Sequence, residues 1–100
     1  MLGELKAEHF LPLLKQEFTV TYPDYQTTLV LNDVEHGKKS VAPGRFRDPF
    51  SLFFNGTDPE RVLNQQMHPL THPTLGTLEI FLVPLGRNED GTFHYQAIFS

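Results

Sequence analysis

Three stretches in the last third of the chain constrain its fold most. Residues 64–71, 77–85 and 92–99 are of strand length, and the turn sequences His-Pro-Thr-Leu-Gly (72–76) and Arg-Asn-Glu-Asp-Gly (87–91) lie between them. Connections this short join antiparallel neighbours, so the segment reads as a three-stranded meander. In its last strand Phe93, Tyr95, Ala97 and Phe99 alternate with Thr92, His94 and Gln96, the pattern of one dry face and one wetter face. Residues 78–83 do not alternate this way. Leu78, Ile80 and Leu82 share one face, Phe81 and Val83 share the other, and Glu79 is the one polar residue among them. That pattern predicts a central strand covered on both faces. Pro84 has no N–H to give a ladder, which suits a strand end, a bulge or an unpaired edge, and it is read as the point where this strand leaves the sheet.

The first half supplies three more strands and a helical start. Leu2, Leu5, Phe10, Leu13 and Leu14 fall near a helical stripe, but Pro12 interrupts it, which predicts two short helical pieces. From Phe18 the period becomes two, with Phe18, Val20 and Tyr22 on one face. Pro23-Asp24 turns the chain into a second strand at 27–36. A third strand at 49–56 places Phe50, Leu52 and Phe54 opposite Phe53, and Pro59 is a candidate to start one helical turn. No repeat or linker divides residues 1–100, so one domain is expected. Its class is α+β, mainly β: an antiparallel curled sheet or small barrel of about six strands, with the N-terminal helical segment plugging one opening.

Composition excludes several functions. Without cysteine there is no disulfide framework, thiolate metal site or thiol nucleophile. A net charge of −4, from 12 acidic and 8 basic residues spread along the chain, gives no field for a nucleic-acid backbone. The first sixteen residues carry charges where a secretory signal needs an apolar run, and residues 78–85 are far short of the ~20 that cross a bilayer as a helix. No membrane association and a cytoplasmic location are therefore expected, with signal-independent export left open.

Candidate chemistry is sparse. His68 and His72 share a strand face, and His94 lies in the same meander, yet four strand residues span ~13 Å, too far for one shared zinc. No metal or cofactor is expected. Of the carboxylates, Asp48, Asp58, Glu60, Glu89 and Asp90 fall in turns, where they are ordinarily solvated. Of these six candidates only Glu79 lies within a strand expected to be covered, and facing solvent at the strand's beginning is its simplest reading. The spacings of serine hydrolases, zincins, P-loops and dinucleotide folds are absent, so no enzymatic activity is expected. Binding is the remaining class. The loop from residue 36 to 48 gathers Lys38, Lys39, Arg45, Phe46 and Arg47, a cation and aromatic mixture suited to a protein partner. An exposed strand edge would also allow pairing with a partner or a second copy. The alternative is a small ligand held in the mouth of the curled sheet by Tyr22, Tyr25, Phe53 and His94.

The sequence also resembles a bacterial domain family of unknown function. The likeness is carried by His72-Pro73-Thr74-Leu75-Gly76 and Ile80-Phe81-Leu82-Val83-Pro84, with Pro49-Phe50-Ser51-Leu52-Phe53-Phe54 before them and Tyr95-Gln96-Ala97-Ile98-Phe99 after. The start from His9-Phe10 to Pro12-Leu13 fits as well. The chain departs from the pattern at Gln65-Gln66-Met67-His68, where Gln-Gly-x-Tyr is expected, and at Thr71, where Glu commonly precedes His-Pro. The resemblance brings no activity or catalytic residue. It implies that the 72–76 motif serves packing, with Pro73 presetting the turn and Gly76 closing it at positive φ. It also implies a partner, because such genes tend to lie beside those of phage tail-collar-like proteins. A structural or accessory module in the assembly of a tail-fibre-like or surface-appendage protein is the function expected.

Overall fold

Pro12 shapes the first element. A computed structural model of the chain describes residues 5–36 and 49–99, and in it an α-helix, α1, covers only Ala7–Phe10 before a 3-10 turn at Leu11–Leu13. Proline cannot sit inside a continuing α-helix, but it fits the first positions of a new turn. The two expected helical pieces are therefore present. Lys15, at φ 69°, then swings the chain into the sheet. Its N–H bonds the Leu31 carbonyl at 2.7 Å and its ammonium donates to Asn32 Oδ1 at 2.9 Å.

Six antiparallel strands follow: β1 (Glu17–Tyr22), β2 (Tyr25–His36), β3 (Phe50–Gly56), β4 (Gln66–His72), β5 (Gly76–Arg87) and β6 (Phe93–Phe99). They close in the order β1-β2-β3-β6-β5-β4, with β4 returning to β1 through Thr19 opposite Thr71 and Val20 opposite Leu70. The expected six-strand sheet is thus a closed barrel, and β4-β5-β6 is the expected meander. The two twelve-residue strands, β2 and β5, each carry a register shift, at Leu31/Asp33 and at Pro84/Gly86. One extra residue on one side bends a strand and raises its twist, which lets long strands wrap a narrow barrel.

The inward residues alternate as the period predicts. Phe18, Val20, Leu29, Leu31, Phe50, Leu52, Phe54, Leu70, Ile80, Leu82, Tyr95 and Ala97 make one buried core. Phe10 of α1 plugs one end, its ring 5.9 Å from Phe50 and 5.8 Å from Phe99, which stack on each other at 4.8 Å. Residues 57–65 cross the opposite end and bury Leu63. Pro59 begins no helix there. The segment holds only a turn, with the Arg61 N–H on the Asp58 carbonyl at 3.3 Å.

Two expectations for β5 need correction. The strand does not leave the sheet at Pro84: Pro84 still pairs with Tyr95, and β5 continues past the bulge to Arg87. Nor are residues 78–83 dry on both faces. Ile80 and Leu82 are buried, whereas Glu79 and Phe81 are exposed and Val83 is half-buried. The wall of a barrel is one layer thick, so a strand flanked by neighbours still has only one side in the core. Phe81 makes the run look doubly covered because an exposed apolar side chain and a buried one read alike in sequence.

Candidate interaction surface

The outward residues of the barrel divide it into two unlike flanks. On β1 and β2 they include Glu17, Thr19, Thr21, Asp33 and Glu35, a solvated and acidic wall. On β4, β5 and β6 they include Met67, Phe81 and Ile98, which remain 47%, 45% and 63% exposed, and Leu85 at the β5 bulge, 45% exposed. Register makes neighbours of two of them. Met67 is the direct cross-strand partner of Phe81. One row further down, Val83 faces Gln96 and Gln96 faces Phe53, so the polar Gln96 lies between two half-buried apolar neighbours and donates to Ser51 Oγ at 3.2 Å. Glu79 is the one carboxylate projecting from this wall of β5. Exposed apolar side chains gathered on one flank that is poor in charge mark contact sites on proteins.

The expected site residues are dispersed. Lys38, Lys39, Arg45, Phe46 and Arg47 lie outside the described residues. Tyr22 and Tyr25 come together at the end crossed by residues 57–65, with ring centroids 5.2 Å apart and the Arg61 guanidinium 3.8 Å above the Tyr25 ring. Burial, with Tyr22 beside it, raises the Tyr25 phenol above its ordinary value, and Arg61 opposes the shift. Phe53 and His94 instead belong to the outer wall, where His94 stands opposite Asn55 and Gly86. The Nδ1 atom of His94 is shielded and has no hydrogen-bond partner among the described residues. The four residues expected around a ligand mouth are therefore split between two faces.

Leu63 and Tyr95 fill that mouth. The Leu63 N–H donates to the Tyr95 hydroxyl at 2.9 Å, and burial raises the Tyr95 phenol despite this bond. A cleft of about 310 Å³ lies at the rim, lined by Asn55, Gly56, Asn88, Glu89, Asp90 and Thr92. It is polar and internally bonded: the Thr92 hydroxyl and N–H both donate to Asp90 Oδ1, and Asn88 Nδ2 donates to Thr92 Oγ1 at 3.1 Å. Those two bonds from Thr92, the hydroxyl first, hold the Asp90 carboxyl below its ordinary value.

His68 and His72 point inward beside Leu70 and are buried. Their partners restrict which ring nitrogens donate. The Asn64 carbonyl can only accept, so His68 Nε2 donates to it at 2.8 Å, and Nδ1 bonds the Tyr22 hydroxyl at 2.6 Å. The Thr74 N–H donates to His72 Nδ1 at 3.0 Å, so His72 Nε2 donates to Gln16 Oε1 at 2.7 Å. These rings tie β4 to the segments beside it, and no group of three His, Asp or Glu side chains among the described residues is placed to hold a metal. Gly76 closes the turn after His72 at φ 75°, as expected for the 72–76 motif.

Fold and surface together define a small antiparallel β-barrel, plugged at both ends, with one apolar outer flank. The chain belongs to a family of domains of unknown function, DUF6916, whose model matches residues 5–99. No curated protein and no solved structure matches it.

Proposed function

We propose that the protein is a non-enzymatic interaction module that docks through the outer flank of β4, β5 and β6. The observation that carries this reading is the cluster of Met67, Phe81, Leu85 and Ile98, exposed together on a barrel whose core is already complete without them. Holding four large apolar side chains in water opposes solubility unless a partner covers them. Closure of the sheet leaves none of its six strands at an end, so the contact is moved from the strand edge expected from sequence to the strand face. Assembly of a tail-fibre-like or surface-appendage protein is the setting we propose, on the resemblance described above, with a tail-collar-like protein as the partner.

Co-purification of the full chain with the neighbouring tail-collar-like protein tests this reading. The wild type is expected to retain the partner at micromolar concentration and Phe81→Glu to release it while unfolding at the same temperature. Retention by the Phe81→Glu variant, or a wild-type chain that ignores the partner, would count against it.

A further inference from the structure

We propose that the β1–β4 seam, which closes the barrel, is a proton-sensitive closure that opens from its His72 end in mild acid. Register singles this seam out. β4 pairs with β5 along its whole length, from Gln66 opposite Leu82 to His72 opposite Gly76, but meets β1 only at Thr19 opposite Thr71 and Val20 opposite Leu70. Beyond those rows the seam is bridged by the side chains of His68 and His72, both buried and both on β4. On one side His68 Nδ1 bonds the hydroxyl of Tyr22, at the end of β1. On the other, the His72 ring lies 4.9 Å from that of Phe18 on β1, and its Nε2 donates to Gln16 Oε1. The Gln16 amide is oriented by its own Nε2, which donates to the Pro12 carbonyl at 3.4 Å, so this bridge runs on into the N-terminal plug.

The two histidines differ in how they meet a further proton. On His68 a proton at Nδ1 finds an acceptor in the Tyr22 hydroxyl, while Nε2 keeps its bond to the Asn64 carbonyl. His72 Nδ1 instead accepts from the Thr74 backbone N–H, a donor that cannot reverse. A proton there sets two donors against each other and leaves a cation at a site only 3% exposed. The Phe18 ring, tilted at 39°, attracts a cation but does not replace the lost bond. Charged groups on the surrounding elements do not relieve it. Lys15, beside Gln16, is a cation engaged with Asn32, and Arg61 of residues 57–65 lies on Tyr25. In that same segment Asp58 accepts from the Glu60 N–H, and Glu17, Asp24, Glu60 and Glu79 are exposed. Among the described residues none of these charges bonds either ring. Protons therefore favour the open seam, where a wetted imidazole takes one at about pH 6.5, and the closed form loses stability as pH falls through that range. Opening returns two strand edges, β1 and β4, to a sheet that closure had left with none.

Amide hydrogen exchange of the full chain, read as protection relative to the intrinsic rate at each pH, tests the proposal. Between about pH 7.5 and about pH 5.5, protection at Thr19, Thr71 and Thr74 is expected to fall about tenfold or more, while that of Leu52 and Ala97 in the β3–β6 ladder holds. The midpoint of the loss is expected to coincide with the titration of the His72 ring-nitrogen signals and not with that of His9, His36, His68 or His94. His72→Asn cannot titrate and keeps an oxygen that accepts from the Thr74 N–H, so its protection at Thr19 and Thr71 is expected to stay constant over the same range. Seam protection that is unchanged in acid overturns the proposal, as does a loss shared equally by the β3–β6 ladder, a midpoint that follows another histidine, or a His72→Asn variant that still loses protection. Should that variant fail to fold, the wild-type midpoint decides alone.

Discussion

The two flanks of the barrel cover the same core with opposite chemistry outside. Along β1, inward Phe18 and Val20 alternate with outward Glu17, Thr19 and Thr21, so burial and polarity change together, and on β2 the outward residues Gln26, Thr28, Asp33 and Glu35 are polar, with half-buried Val30 opposite Glu17 the exception. Along β5, inward Ile80 and Leu82 alternate with Glu79 and then Phe81, so burial changes while polarity does not. The first flank needs only water. Apolar content beyond what the core uses is what distinguishes the second, and it is the reason to assign that face a partner.

The comparison breaks most readily at two adjacent residues. Leu82→Ala, which empties a buried site, is expected to cost about 2–5 kcal/mol, whereas Phe81→Ser beside it should cost less than about 1 kcal/mol. Chemical denaturation of both variants checks this, and equal losses would mean that Phe81 is covered. On β4 the same contrast holds between His72 and Met67. His72→Leu leaves the Thr74 N–H without its acceptor and is expected to cost about 1–3 kcal/mol, while Met67→Thr on the outer side should be near neutral in the same measurement.

Smaller effects sharpen the picture at the turns. Gly76→Ala forces a Cβ into a left-handed conformation, where its ideal position meets nothing within 4 Å, so backbone strain alone sets a loss of about 1–2 kcal/mol in thermal unfolding. Asp90, with its lowered carboxyl pKa, contributes stability above the ordinary carboxylate range, and that contribution is lost as pH falls through its own lower value. Thr92→Ala removes the hydroxyl bond, the larger cause, and should move the Asp90 carbon resonance titration upward toward the ordinary range.

Much of the fold was readable because it is local. The alternation of Phe50, Leu52 and Phe54, the break at Pro12 and the turn closed by Gly76 each follow from dihedral limits and periodicity within a few residues. What escaped was long-range. Each of His68 and His72 has one distant hydrogen-bond partner, Tyr22 and Gln16, which lie 46 and 56 residues away, and no local pattern announces them. Their shared face with Leu70 was the available sign that both rings point inward. The flank of Met67, Phe81 and Ile98 was hidden differently: it draws one residue from each of three strands, and becomes a surface only once register places Met67 opposite Phe81. Cations such as those between 38 and 47 stand out in a sequence as an exposed apolar residue does not.

The chain's two isoleucines permit the most direct test of the exposed flank, since Ile80 lies on the inner side of β5 and Ile98 on the outer side of β6. With both δ1 methyl groups labelled in a dilute sample, a soluble paramagnetic probe should broaden the Ile98 signal strongly and leave that of Ile80 nearly unchanged. Equal protection of the two methyl groups would show that the outer wall is covered within a single chain, and the assignment of a docking face to it would be wrong.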